Sequence, residues 1–267
     1  MIKALFFDLD GTLLNSIKRI PPKTIAALKT CRQNGIKVFA ATSRPPLLMR
    51  MLRLTPDEEY VLSDGGIFYN GGCIYAGGHK QYTFLQEHVA QKSIDVITGH
   101  AEADFAIQMR DEVHSFRYPL PEDQYQNWGI SRIAAFGGCS YAEVVKLVIF
   151  TPWDLLPAMR GELEEAVGDG ANVYLTGSND FMSVEVVDKN INKRLAVERV
   201  LQLCGFSRDE AAVFGDDHND IEMLRGFRHS FAMASACQEA RESAHHVIPG
   251  NDEEGICYAL ESILNLV

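Results

Sequence analysis

A recurring order of short apolar run, turn and amphipathic helix limits the possible folds of this chain more than any other feature. Ala4 to Phe7 is a four-residue apolar run suited to a strand buried on both faces. After a turn at Asp10-Gly11-Thr12, Pro21 and Pro22 open a helix with Ile25, Leu28 and Cys31 on one side, and Gly35 stops it. Ile36 to Ala41 reads as a second strand, Thr42-Ser43-Arg44-Pro45 as its turn, and Leu48, Met51 and Leu52 as the stripe of another helix. Tyr60 to Leu62 is expected as a third strand, and Asn70-Gly71 as a hairpin turn between Phe68-Tyr69 and Cys73-Ile74-Tyr75.

The pattern resumes after residue 187. Asn192 caps a helix through Leu195, Val197, Val200 and Leu201 that Gly205 ends, and Ala211 to Phe214 is an apolar strand running into Gly215-Asp216. Asp220 to Leu224 then reads as helix, Ser230 to Met233 and His246 to Ile248 as strands, and Glu254 to Leu264 as a closing helix. Such alternation predicts an α/β fold, with a mostly parallel sheet and helices on both faces. Between these halves the periodicity loosens, the loops lengthen, and Tyr118 to Trp128 is rich in proline and aromatics. Residues 83–186 are therefore expected to form an inserted α+β domain, with 1–82 and 187–267 making one discontinuous core. There is no internal repeat or low-complexity tract.

Charge narrows the partners. With 25 basic and 36 acidic residues the net charge is −11 over 267 residues, so nucleic acid and anionic membranes are excluded as main partners. No run approaches the roughly 18 apolar residues of a membrane helix. The N-terminal apolar run is too short and too acidic for a secretory signal. Cysteines 31, 73, 139, 204, 237 and 257 stand far apart without a C-x-x-C pair. They read as reduced, mostly buried thiols of a cytoplasmic protein, monomeric or weakly homo-oligomeric, rather than as a zinc knuckle or disulfide framework.

Carboxylates fall at the strand ends. In an open parallel sheet, ligands bind beyond the carboxyl ends of the strands. Asp8 and Asp10 follow the first strand, Thr42 and Ser43 the second, and Asp216, Asp217 and Asp220 a later one, so all should converge on one rim. Clustered carboxylates raise one another's pKa unless a hard cation lies between them, and oxygen ligands without grouped His or Cys point to Mg²⁺. Beside a Thr-Ser turn with free N–H groups, such a site can hold a phosphoryl group. Asp8 is the candidate nucleophile, Asp10 the candidate acid and base, and Lys193 the fixed positive charge.

The segments Asp8-Leu9-Asp10-Gly11-Thr12, Thr42-Ser43-Arg44, Lys193 and Gly215-Asp216-Asp217-His218-Asn219-Asp220 resemble, in order, the four motifs of the haloacid dehalogenase-like hydrolase superfamily. Within it the chain is most similar to the Cof-type sugar-phosphate phosphatases. The resemblance implies a Rossmannoid core with an α/β cap inserted between the second and third motifs. It implies Mg²⁺ held by Asp8, the Asp10 main-chain oxygen and Asp216, with Asp220 organising the metal shell. Thr42, the Ser43 N–H and Lys193 are implied as phosphate contacts, with Asn219 near the site. Arg44 is open between a substrate contact and a structural ion pair.

Three departures from the family pattern stand out. Ser43 replaces a common glycine, Asp64 follows the third strand near the expected substrate mouth, and Arg194 follows Lys193, with Lys189 as the fallback for the third motif. His218 reads as an exposed loop residue, His245 and His246 as a strand edge, and Tyr118, Tyr125 and Trp128 as packing residues. The expected activity is Mg²⁺-dependent hydrolysis of a small phosphorylated metabolite, a sugar phosphate foremost. A sugar phosphomutase of the same superfamily and a non-catalytic phosphate-metabolite sensor are the competing readings; a dehalogenase is disfavoured because departing halide gives Asp10 no proton to move.

Overall fold

The structure, a computed structural model, describes residues 1–138, 140–178 and 181–267. Strand β1 (Ala4–Phe7), helix α1 (Pro22–Gln33) and β2 (Lys37–Ala41) come first, then α2 (Leu48–Leu52), α3 (Pro56–Val61), β3 (Gly65–Phe68), β4 (Cys73–Ala76) and β5 (His79–Tyr82). The middle of the chain forms α4 (Glu87–Thr98), β6 (Asp104–Met109), β7 (Val113–Phe116), β8 (Arg132–Ile133), β9 (Val144–Phe150), α5 (Leu156–Val167), β10 (Ala171–Ser178) and β11 (Phe181–Asp188). The last part contains α6 (Lys193–Cys204), β12 (Ala211–Gly215), α7 (Ile221–Gly226), β13 (His229–Met233), α8 (Gln238–Ser243), β14 (His246–Ile248) and α9 (Gly255–Tyr258). Two compact units result: Met1–Arg44, Leu48–Gln81 and Asn192–Val267 make the first, Pro45–Leu47 and Tyr82–Ile191 the second.

In the first unit the strands lie in the order β14-β13-β12-β1-β2-β3-β4-β5. From β14 to β3 all neighbours are parallel, and β4 returns antiparallel to β3. β1 is central, with Phe7 opposite Ala40 on one side and Phe214 on the other. All four of its residues are fully buried, as a strand covered on both faces requires. Phe7, Phe214 and Phe231 stack in a row across β1, β12 and β13, with centroids 4.5 and 4.7 Å apart. Because these strands run in one direction, their carboxyl ends share a rim.

The local signals act as the sequence suggests in most places. Pro22 begins α1, and Gly35 leaves it with φ +80°, a conformation costly for any side chain. The Asn192 side chain caps α6 by accepting the Leu195 N–H at 2.8 Å, and Gly205 closes it in the left-handed region. The α6 face differs from expectation at one residue. Leu195 is on the exposed side, and the buried stripe is Lys193, Ala196, Val197, Val200 and Leu201. Lys193 takes the inward position because carboxylates await its ammonium there.

The third strand is also corrected. Tyr60 to Leu62 is not a strand; Thr55-Pro56-Asp57-Glu58 starts a helix whose capping box has Thr55 and Glu58 satisfying each other's backbone N–H. The strand is Gly65–Phe68, pairing Gly66 with Ala40 and Ile67 with Ala41. The hairpin turn at Asn70-Gly71 is present, with Phe68 opposite Cys73. At the chain's end α9 widens into a π-helical turn over Ala259–Ile263 rather than continuing as one α-helix.

The second unit is a sheet in the order β10-β11-β9-β6-β7-β8, antiparallel except between β7 and β8. α4 and α5 bury Val89, Ile94 and Leu163 with Phe105, Leu147 and Val186 of the sheet. Lys146 pairs with Glu185 at 2.6 Å, both nearly buried, and burial pushes His114 down to about 4, which keeps it neutral. Trp128 meets Phe116 and Phe150 edge-on at 5.2 and 5.6 Å, while Tyr118 is exposed and Tyr125 half-buried. Cysteines 31, 204, 237 and 257 are free thiols, and Cys139 lies outside the described residues. No described helix is long and apolar enough to cross a membrane.

Candidate active site

Asp8 is the first residue past β1, and its N–H extends the sheet by donating to the Phe214 carbonyl at 2.9 Å. Its Oδ1 accepts from Lys193 Nζ at 2.6 Å, and the same ammonium donates to Asp220 Oδ1 at 2.7 Å. Asp220 Oδ2 accepts the N–H groups of Asp216 and Asp217 at 3.0 and 3.2 Å, which folds the loop after β12 back on itself. Thr12 donates its hydroxyl to Asp216 Oδ1 at 2.6 Å. One oxygen from each of Asp8, Asp216 and Asp220 lies within 4.8 Å of the others.

Two glycines permit this crowding. Gly11 has φ +91°, and a Cβ there would stand 2.2 Å from Asp216 Oδ2. A Cβ on Gly215 would stand 2.5 Å from Asp220 Cγ. Any larger residue at either place would push a carboxylate out of the cluster.

The electrostatics show what the cluster lacks. Burial raises the Asp8 carboxyl well above the usual carboxylate range, Lys193 opposes this, and Asp220 and Asp216 add to it. Burial and Asp220 push Asp216 up to about 7. Burial alone would lower the Lys193 ammonium, but Asp220 and Asp8 outweigh it and hold the charge. Three carboxylates against one ammonium leave room for positive charge, and the donors are all hard oxygens. That set fits Mg²⁺.

Asp10 is placed differently. Arg44 reaches it with Nε to Oδ2 at 2.6 Å and Nη2 to Oδ1 at 2.8 Å, and Lys18 Nζ adds a contact to Oδ1 at 2.7 Å. Burial would raise this carboxyl, but Arg44 and then Lys18 bring it down to about 2. Of the two readings left open for Arg44, the ion pair is the one observed. Lys18 carried no sequence signal beyond its charge.

Thr42 is buried at the end of β2, gives its N–H to the Ile67 carbonyl at 2.9 Å and accepts the Arg44 N–H on its hydroxyl at 3.2 Å. Ser43 follows it, half-buried. Asn219 donates from Nδ2 to Asn70 Oδ1 at 3.0 Å. Asn70, at φ 59°, also gives its N–H to the Thr42 carbonyl at 3.0 Å, so one residue ties together the loops after β2, β3 and β12. The sequence marked Asn70 only as a turn former.

Asp64 is not at a substrate mouth. It pairs with Arg32 and accepts the Val38 N–H at 3.0 Å, with Lys37 Nζ at 3.4 Å, all at the amino end of β2 and so opposite the rim described above. His218 is exposed beside Asp217. His246 begins the edge strand β14 and stacks on Phe231, while His245 meets the Ser230 hydroxyl at 3.0 Å.

Known proteins resemble this chain over nearly its whole length. A Mycoplasma pneumoniae protein named as a phosphatase is 24% identical over 290 residues, covering 99% of this chain and 98% of its own. The 5-amino-6-(5-phospho-D-ribitylamino)uracil phosphatase YitU of Bacillus subtilis is 22% identical over 269 residues, covering 97% and 96%. Among solved structures, a HAD subclass IIB sugar phosphatase superposes with TM-score 0.81 at 24% identity, over 99% of this chain and 100% of that one. Residues 5–260 match the haloacid dehalogenase-like hydrolase family, and the chain belongs to that family.

Proposed function

We propose that this protein is a Mg²⁺-dependent phosphatase of small phosphorylated metabolites, sugar phosphates foremost, which works through an aspartyl-phosphate on Asp8. The observation that carries this reading is the bridge from Lys193 to Asp8 and Asp220, which fixes one carboxylate of an oxygen-only cluster at the end of the central strand. The phosphatase names of the relatives point the same way.

Asp8, the Asp10 main-chain oxygen and Asp216, with Asp220 organising the shell, would hold a Mg²⁺, which when bound would offset charge on the phosphoryl oxygens and on the buried carboxylates. An Asp8 oxygen forms the bond to phosphorus as the ester oxygen leaves. Lys193, the Thr42 hydroxyl and the Ser43 N–H hold the equatorial oxygens, with Asn219 at their border. Asp10 gives a proton to the leaving oxygen, then takes one from the water that hydrolyses the intermediate. General acid–base action of this kind contributes roughly 10²–10⁴ in rate. Arg44 connects the two halves of the proposal. By turning from Asp10 to the incoming phosphoryl group it binds substrate and releases Asp10 to carry the proton.

On the family likeness, residues 83–186 act as the cap that selects the substrate, and the enzyme works in the cytoplasm as a monomer or weak homo-oligomer. The test is phosphate release from sugar phosphates, nucleotides and flavin or pyridoxal phosphates, with Mg²⁺ or chelator, by wild type and Asp8→Asn. Mg²⁺-dependent release by wild type alone is expected. Turnover by Asp8→Asn, or release that ignores chelator, refutes the mechanism; isomerised sugar phosphate without release would identify a mutase.

A further inference from the structure

A second group of donors, of different chemistry, lies beside the carboxylate cluster. Asp217, His218 and Cys237 each offer one donor atom, all within 4.8 Å of one another. The first two follow β12, and Cys237 immediately precedes α8. The Cys237 N–H donates to the Asp216 carbonyl at 2.9 Å, which fixes the thiol against the loop that carries the other two. His218 Nδ1 is 2.9 Å from Asp217 Oδ1, and Glu239 Oε2 is 4.0 Å from His218 Nε2. Among the described residues, no Lys or Arg forms an ion pair with Asp217 or Glu239.

We propose that Asp217, His218 and Cys237 form a second metal site, which takes Zn²⁺ and is distinct from the oxygen-only centre of Asp8, Asp216 and Asp220. One sulfur, one imidazole nitrogen and one carboxylate oxygen suit a borderline-soft divalent ion, whereas Mg²⁺ has no use for thiolate. Bonds of about 2.0–2.3 Å in a tetrahedron put donor atoms about 3.3–3.8 Å apart, so a small rotation of the exposed His218 completes the spacing. Three protein ligands leave the fourth position to water. Glu239, across the ring, is where a carboxylate orients a metal-bound imidazole. On binding, the Cys237 S–H bond breaks, its proton goes to solvent, and the thiolate sulfur gives an electron pair to the metal without change of oxidation state. The ion would then tether the segment before α8 to the loop that bears Asp216.

The experiment is a Co²⁺ titration of the full-length, metal-stripped protein under saturating Mg²⁺, followed by absorption spectroscopy, with Zn²⁺ added last. One equivalent of Co²⁺ should produce tetrahedral d–d bands and a thiolate-to-cobalt charge-transfer band, both of which Zn²⁺ removes. Cys237→Ser should lose the charge-transfer band. His218→Ala, a change at an exposed residue that leaves the fold intact, should weaken Co²⁺ binding at least about tenfold. A charge-transfer band that persists in Cys237→Ser, equal affinity in His218→Ala, or displacement of Co²⁺ by further Mg²⁺ would overturn the assignment. These readouts are independent of phosphatase turnover, so the site can fail without the activity and the activity without the site.

Discussion

The Arg44 guanidinium grips both oxygens of the Asp10 carboxylate, Nε to Oδ2 at 2.6 Å and Nη2 to Oδ1 at 2.8 Å. This two-point contact keeps Asp10 ionised down to about pH 2. In Arg44→Ala the Asp10 carboxyl should titrate at higher pH, read by carbon NMR of the labelled side chain. On the proposed turn of Arg44 to the phosphoryl group, its loss should raise KM at least about tenfold. An unchanged KM would assign Arg44 to structure alone.

Lys193 is fully buried between Asp8 and Asp220. Lys193→Met leaves both carboxylates without their cation, and breaking a buried pair in this way costs about 3–5 kcal/mol. Urea unfolding in chelator should show a loss of that order, with phosphate release near background in Mg²⁺.

The Asp216 carboxyl, raised from 3.8 to about 7, binds a proton more tightly folded than unfolded. Its contribution to stability is whole below pH 3.8 and is lost as pH rises through about 7. His114, lowered from 6.5 to about 4, has the opposite slope over much of that range, so the informative quantity is wild type minus Asp216→Asn. In chelator this difference should move against wild type as pH rises from 3.8 to about 7, and saturating Mg²⁺ should reverse it. A pH-independent difference would contradict the raised carboxyl.

Gly11→Ala places a methyl group 2.2 Å from where Asp216 Oδ2 now lies, on a backbone at φ +91°. The left-handed backbone alone costs roughly 1–2 kcal/mol. Thermal melts should show that loss, and Mg²⁺ should protect the variant less than it protects wild type.

The sequence was most legible where function and strand geometry coincide. Asp8, Thr42 and Asp216 all follow apolar runs that became parallel strands, so their convergence follows from topology alone. Glu58 explains the missed helix: it is buried as the capping partner of Thr55, a pattern hidden by the apolar look of Tyr60 to Leu62. The true strand begins with Gly65 and Gly66, which give no hydrophobic period to read, although a Cβ on Gly65 would meet the Tyr75 carbonyl at 2.0 Å. Lys18 and Asn70 act through partners 8 and 149 residues away, Asp10 and Asn219, and contacts at such separations follow no helical or strand period. Cys237 reads in sequence only as a reduced thiol, because Asp217 and His218 beside it belong to another loop.

The place of β1 at the centre of its sheet has a consequence for synthesis on the ribosome. Ala4 pairs with Lys37, which emerges soon after it, but also with Ala211, which emerges far later. At about 5–20 residues per second that second partner arrives roughly 10–40 s afterwards. Until then the nascent chain carries an apolar strand with one open edge, and for most of that interval the adjoining Asp8 carboxylate lacks Lys193 as well. The central strand can therefore be closed on both sides only after more than three quarters of the chain has been made, with β13 and β14 added after it.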